Sequence, residues 1–371
     1  MPTIRDTTID DLLVSLDDWS EYRADKESQL FISTVGFEDR TCAAFEQWAS
    51  AGKEVDRRAL LILYPTNEAD NARQMARFKE IAQVSRVSIS DIRYKAASFY
   101  GEITAALRGT KNITKIVADI STMASYVFYP LMKAIYDSDM NASVQILYSE
   151  AQTYFPVSED WANFKASYAK VGDLLERAKL FDEQHFQSSG VDEIYESPAF
   201  PGMNLDKLPG CLILVPNFSY ERVQRMVNSA SERYAVSPSE DVVWMIGIPP
   251  DQTINGWRHD ALWEMYNRPN DKVSVSTFDW KEMLQELHRI WVKKQNQKAL
   301  VIGTVGSKPQ HLGTFVFLKM HPEVGLILSE PKEYSAARYS EGCKKIWSIK
   351  LGHISELNEK LRTWDRLNFH W

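Results

Sequence analysis

The 371-residue chain has only three cysteines, Cys42, Cys211 and Cys343. They are odd in number and far apart, which excludes a disulfide framework and fits a reducing compartment. No Cys-x-x-Cys pair or histidine-rich cluster suggests a structural metal, and the seven histidines lack metal-ligand spacing. Long apolar runs are missing as well. The longest, such as Leu60 to Tyr64, fall far below the roughly 20 residues that span a bilayer. The N-terminus, Met-Pro-Thr-Ile-Arg-Asp, has no signal-peptide core. Nor is there an excess of positive charge: 43 Lys and Arg face 50 Asp and Glu, for a net charge of −7. That disfavours non-specific binding to duplex nucleic acid, which depends on neutralising phosphates. The chain reads as a cytoplasmic protein with no membrane partner, no metal and no bound cofactor.

Nucleotide and hydrolase fingerprints are also missing. Gly-x-x-x-x-Gly-Lys-Ser/Thr, Gly-x-Gly-x-x-Gly and Gly-x-Ser-x-Gly do not occur.

What the chain does have is a segment that occurs twice. Val144-Gln-Ile-Leu-Tyr-Ser149-Glu150-Ala-Gln-Thr-Tyr154 is echoed by Val324-Gly-Leu-Ile-Leu-Ser329-Glu330-Pro-Lys-Glu-Tyr334, 180 positions later. Other apolar runs pair up at nearly the same separation and in the same order. Leu30 to Val35 matches Leu212 to Val215, and Ala59 to Tyr64 matches Val242 to Ile248. Val87 to Ile92 matches Val273 to Ser276, and Ile113 to Ile120 matches Ala299 to Val305. Helical patterns lie between these runs, ending in Tyr126 to Tyr136 and Leu312 to Met320. Near-continuous apolar strands alternating with helices imply parallel sheets covered on both faces. The expected fold is therefore α/β, with two tandem Rossmann-like domains arising by internal duplication. Each would hold a mainly parallel sheet of five to six strands.

The expected boundaries are residues 1–156 for the first domain, which includes a leading helix capped near Thr8. Residues 157–210 form a helical and loop connector with a strand at Glu193 to Tyr195. Residues 211–371 form the second domain, closing with a helix from Ser355.

Ligands of open parallel sheets bind beyond the carboxyl ends of the strands. Three loops recur there. Arg40 and Arg222 open the helices after the first strands, where an anion can be held, or where each Arg can pair with a neighbouring carboxylate. Asp119-Ile-Ser121-Thr122 and Gly303-Thr-Val-Gly306-Ser307-Lys308 follow the fourth strands. Their hydroxyls and amides can cradle phosphate, with Lys308 adding charge, or Ser121 and Ser307 can cap helices. Glu150 with Tyr154, and Glu330 with Tyr334, follow the fifth strands and suit recognition of a base or ribose. The bland alternative is a structural turn. His311 lies in the second of the phosphate-type loops. As catalysts, Asp119, Glu150 and Glu330 would be the acid/base candidates.

The Gly303-Thr-Val-Gly-Ser-Lys-Pro309 loop, leading into an apolar helix and a strand that ends near Tyr334, resembles the ligand loop of CRISPR-associated Rossmann (CARF) domains. Two copies in one chain are similar to the SAVED sensors. The resemblance implies a nucleotide or small oligonucleotide messenger and a sensor role in prokaryotic antiviral signalling. Ser121-Thr122 stands at the matching place in the first half but lacks the glycine and lysine.

The reading that results is a sensor or regulatory protein. It would bind a phosphate-bearing nucleotide-type ligand in a cleft between its halves, through Arg40, Ser121, Thr122, Glu150, Tyr154, Arg222, Gly306, Ser307, Lys308, Glu330 and Tyr334. The alternatives are a nucleotide- or nucleic-acid-processing enzyme and a non-catalytic subunit that meets a protein partner.

Overall fold

The apolar runs form the strands of two α/β units in a computed structural model, which describes residues 4–24, 29–51, 57–110, 112–167, 173–185, 187–266 and 271–368. One unit is the chain up to Tyr154 together with the segment from Ser340 onward. The other is Phe155–Tyr339.

The first unit opens with α1 (Ile4–Val14), β1 (Ser20–Glu21), β2 (Leu30–Val35), a 3-10 helix (Asp39–Cys42) and α2 (Ala43–Ser50). It continues through β3 (Arg58–Leu63), α3 (Glu68–Ser85), β4 (Ser88–Arg93), α4 (Phe99–Gly109), β5 (Lys115–Asp119), α5 (Ser125–Asp137), β6 (Ser143–Glu150) and β7 (Thr153–Tyr154). The second unit begins with α6 (Ser158–Ser167), α7 (Leu174–His185), β8 (Ser188–Ser189), β9 (Glu193–Glu196), β10 (Gly210–Val215) and α8 (Tyr220–Tyr234). After β11 (Val242–Ile248) come α9 (Gln252–Asn255), α10 (Trp257–Met265), β12 (Lys272–Ser276), α11 (Trp280–Lys294), β13 (Ala299–Thr304), α12 (Lys308–Met320), β14 (Gly325–Glu330) and β15 (Glu333–Tyr334). The chain then returns to the first unit with β16 (Ser340–Glu341), β17 (Lys345–His353) and α13 (Ile354–Asn368).

Both units share one topology. Parallel strands run in the order β4-β3-β2-β5-β6 in the first and β12-β11-β10-β13-β14 in the second. β2 and β10 are buried at every residue, which explains why they read as largely apolar runs. Helices cover both faces. In the first unit α2 and α3 pack together over Phe31, Phe45, Trp48 and Phe78, while α4 and α13 pack on α5. In the second, α7 packs on α8 and α10 over Leu212, Met226 and Trp244, while α11 packs on α12. The expected duplicated, Rossmann-like α/β fold is the observed one.

Each sheet is extended on one side by antiparallel pairing that the parallel pattern does not reveal. β17 pairs with β6, with a register shift between Lys350 and Gly352, and β1 pairs with β17. β9 pairs with β14. These strands redraw the sequence boundaries. Residues from Ser340 onward, read with the second half, complete the first sheet. The stretch read as a connector supplies α6, α7 and the edge of the second sheet. The leading helix starts at Ile4, so Thr8 lies inside it. Among the described residues no helix is long and apolar enough to cross a membrane.

In each unit the sheet order reverses between its first and fourth strands, β2 with β5 and β10 with β13. The loops after those strands therefore flank the crevice where such sheets bind ligands.

Candidate functional site

In the first unit the two crevice loops lie against each other. A Cβ on Gly36 would come within 3.1 Å of Thr122 Cβ, a tight contact that a larger residue could make only if Thr122 gave way by a few tenths of an ångström. Thr122 Oγ1 is 3.0 Å from Thr34 Oγ1, and Tyr64 O–H donates to the Thr122 carbonyl at 2.9 Å. Tyr64 also accepts from Ala124 N at 2.7 Å, which holds the start of α5. Ser121 does not cap that helix, whose N-cap is Ala124. It bridges two strand ends instead. Its hydroxyl donates to Asp119 Oδ1 and accepts from Ser149 N at 2.7 Å. Burial pushes Asp119 up to about 6, against the pull of its Ser121 hydrogen bonds and of Arg40. Its second oxygen and the Ser149 hydroxyl are buried and have no hydrogen-bond partner among the described residues.

Arg40 is 2% exposed and heavily bonded. Its Nε donates to Glu38 Oε2 at 3.0 Å and its NH2 lies 2.8 Å from the same oxygen. NH1 donates to Ser149 O at 2.6 Å and to Tyr154 Oη at 3.0 Å. Tyr154 Oη also accepts from Ala151 N at 3.0 Å and pairs with Tyr148 Oη at 2.6 Å. In this copy Ser-Glu-x-x-x-Tyr is thus a turn in which the tyrosine hydroxyl reaches back to its own loop. Glu150 accepts from Lys344 Nζ at 3.1 Å and from Trp347 Nε1 at 3.0 Å, both from the β16–β17 segment. The structure therefore brings Arg40, Ser121, Thr122 and Tyr154 together, but as a closed network. Glu150 is drawn toward the edge strand.

The second unit keeps the framework and loosens the electrostatics. Ser307 caps α12 in a capping box with Gln310, and its hydroxyl donates to Thr277 O at 2.5 Å. A Cβ on Gly306 would lie 2.7 Å from Val215 Cγ1, so only glycine fits that bend. Lys308 opens α12. One turn on, His311 is buried, with Nδ1 3.3 Å from Thr304 Oγ1. Burial, then the charges of Lys308 and Arg222, hold its pKa well below the ordinary value, so the imidazole is neutral. Arg222 is 7% exposed. Its NH2 donates to Ser329 O at 2.9 Å and its Nε to Ser329 Oγ at 3.2 Å. No described carboxylate forms an ion pair with it.

Glu330 stands opposite Glu193 in the β14–β9 register. Burial, then Asp192 and Glu193, push its carboxyl up to about 7. Tyr334 sits opposite Ser188 in the β15–β8 ribbon. Asp182, on α7, accepts from Glu221 N at 3.0 Å, so a neighbouring helix supplies the cap of α8. Burial raises Asp182 to about 6. Among the described residues no group of three or more His, Cys, Asp or Glu is arranged to hold a metal ion.

Sequence reasoning missed Glu38, Asp182, Ser188, Ser219, Ser340, Lys344 and Trp347. One signal was available: Ser188-Ser-Gly190-Val-Asp-Glu-Ile194-Tyr195 matches Ser340-Glu-Gly342-Cys-Lys-Lys-Ile346-Trp347. Both glycines have positive φ, 59° and 66°, and both segments form a short ribbon followed by an edge strand.

No family model matches the chain, and no curated protein does. Solved structures overlap it loosely. A protein of unknown function from Pseudomonas aeruginosa PAO1 shares 8% identity at a TM-score of 0.25, covering 92% of this chain and 96% of that one. A putative universal stress protein from Pseudomonas aeruginosa UCBPP-PA14 shares 9% identity at a TM-score of 0.25, covering 92% and 97%. AtPrR2 in apo form shares 13% identity at a TM-score of 0.22, covering 72% and 88%. Likenesses this loose do not bear on function.

Proposed function

We propose that the second unit binds a phosphate-bearing, nucleotide-type ligand at the carboxyl end of its sheet, and that the protein acts as a binding or regulatory component. The observation that carries this reading is the pair of cations, Lys308 and Arg222, whose charges converge on buried His311. Arg222 has no ion-pair partner among the described residues, whereas Arg40 in the first unit is neutralised by Glu38. Positive charge beside a helix N-terminus favours phosphate. The first unit, with its network closed, serves as structure.

Thermal shift and calorimetry with a panel of mononucleotides and linear and cyclic oligonucleotides test the reading. At least one compound should raise the melting temperature, and Lys308→Ala should weaken its binding about tenfold, near 1.4 kcal/mol. An entirely silent panel, or binding indifferent to Lys308→Ala, overturns it.

One observation favours an enzymatic reading instead. Glu330 titrates near 7, close to the working pH of a general acid or base. Turnover of any panel compound that persists in Lys308→Ala and disappears in Glu330→Gln would establish that reading. Asp119 and Glu150 suit it less, because Ser121 engages the first and Lys344 with Trp347 the second.

A further inference from the structure

The two copies can be compared at one buried position. In the first unit Glu38 is the N-cap of the helix after the central strand. Its carboxylate neutralises Arg40 and accepts a hydrogen bond from Ser340, on the β16 side of the ribbon. In the second unit the N-cap of the corresponding helix is Ser219. It meets the corresponding ribbon serine, Ser188, at 3.2 Å between hydroxyl oxygens. The arginine, the ribbon serine and the strand-end serine recur, but the carboxylate does not, and Arg222 lies three residues past its N-cap where Arg40 lies two past. Arg222, Ser219 and Ser188 are 7%, 1% and 6% exposed. With no carboxylate to meet, Arg222 directs Nε to Ser329 Oγ and NH2 to Ser329 O. Asp182 does not fill the place. Its Oδ2 accepts from the Glu221 amide of α8, its Oδ1 has no hydrogen-bond partner among the described residues, and its carboxyl is raised rather than lowered despite the charge of Arg222.

We infer that an oxyanion, the terminal phosphate of the ligand, occupies in the second unit the position that the Glu38 carboxylate occupies in the first. The phosphate is held by the Arg222 guanidinium and by the hydroxyls of Ser219 and Ser188. A buried guanidinium without a counter-charge is costly, and an anion of two or more oxygens supplies both the charge and acceptors for the two hydroxyls. This placement rests on the phosphate-binding reading above and specifies where its anionic group sits.

The probe is inorganic phosphate, titrated against the full chain at constant ionic strength, with the melting temperature as readout and sodium chloride and acetate as comparisons. Phosphate should raise the melting temperature saturably and at lower concentration than acetate, with chloride inert. Ser219→Ala keeps the space and the arginine, so its response persists at a higher midpoint. Ser219→Glu supplies an internal carboxylate. It should melt higher than the parent without phosphate and need roughly tenfold more phosphate, or fail to respond. An unresponsive parent protein overturns the placement, and so does a Ser219→Glu variant that responds like the parent. The reciprocal variant Glu38→Ser covers the case in which Ser219→Glu does not fold. It should be destabilised and regain stability with phosphate; loss of stability that phosphate does not restore overturns the placement. A nucleotide whose binding falls in Lys308→Ala but is untouched in Ser219→Glu would refute this placement and leave the broader reading standing.

Discussion

Asp119→Asn should stabilise the first unit by an amount that grows with pH. Asp119 is 1% exposed, and only one of its oxygens is hydrogen-bonded, by Ser121. Burial holds the carboxyl at about 6 against an ordinary 3.8. The folded state therefore keeps this proton more tightly than the unfolded state does. Between those two values the native form binds more protons, so stability falls as pH rises through the window. Below it both states are protonated and the contribution is intact; above it the contribution is lost. A displacement of that size is worth about 3 kcal/mol. Asparagine keeps the acceptor for Ser121 and cannot ionise. Any fixed cost of its amide group is the same at every pH, so the informative quantity is the change in the variant-minus-parent difference between pH 4 and pH 8. Glu330 and Asp182 titrate in both proteins and cancel from it. Urea unfolding followed by circular dichroism across that range gives the difference directly. A difference that does not vary with pH would show a carboxyl that titrates alike folded and unfolded, one that moves against asparagine as pH rises would show Asp119 stabilised as a carboxylate, and either refutes the reasoning.

Glu193→Lys should relieve the like-charge pair on the second sheet, since Glu193 lies directly opposite Glu330 and the equivalent pair in the first sheet is Lys345 with Glu150. The Glu330 carboxyl should move down from about 7 when followed by NMR, with a gain at pH 8 of about 0.5 kcal/mol; an unmoved titration would count against the pairing. Ending the chain at Tyr339 removes β16, β17 and α13, including buried Ile349, Leu351, Ile354, Leu357 and Leu361. At roughly 1.5–3 kcal/mol for each buried side chain, the loss rivals the whole stability of a domain. Amide exchange should then show an unprotected first unit and a second unit that keeps its protection, because the second sheet has its own edge strand in β9. Protected β2 and β5 amides in the shortened chain would refute this.

The parallel cores were legible because a strand buried on both faces leaves a largely apolar run, as in Leu30 to Val35 and Leu212 to Val215. The edges were not. β9 is exposed or half-buried along its length, β17 mixes buried and exposed positions and is interrupted at Gly352, and β7, β8, β15 and β16 are two residues each. The second repeat, at Ser188 and Ser340, lies 152 positions apart rather than about 180, so it fell outside the collinear pattern. Around the crevice, sequence placed Arg40 and Arg222 at the helix starts and offered capping as the alternative for Ser307 and Ser121, which holds for Ser307 alone. It did not foresee that Glu38 neutralises only the first arginine, because Glu38 and Ser219 are linked by their ribbon serines rather than by any shared residue type.

The same ribbon explains how two similar cores came to differ. Each edge copy follows one core in the chain but lies on the sheet of the other: Ser188 to Glu196 on β14, and Ser340 to His353 on β6. Charge along the ladder does not select this arrangement. Exchanging the edges would set Lys345 against Glu330 and Glu193 against Glu150, one favourable pair and one unfavourable, as now. The selection comes from neighbours outside the ladder. Lys345 meets Glu21 at 3.1 Å while β1 pairs along Ser348 and Trp347. Glu196 meets Arg233 of α8 at 3.6 Å, and Arg233 also donates to Ile194 O at 3.4 Å. Exposed ion pairs of this kind are worth under about 1 kcal/mol each, so the backbone pairing of β1 dominates. An edge fixed by β1 brings Ser340 and Lys344 to a core that already carries Glu38 and Glu150, closing the first network with protein groups. The other edge brings Ser188 and two acids to a core whose N-cap is Ser219, and the arginine of the second unit meets Ser329 with no ion pair among the described residues.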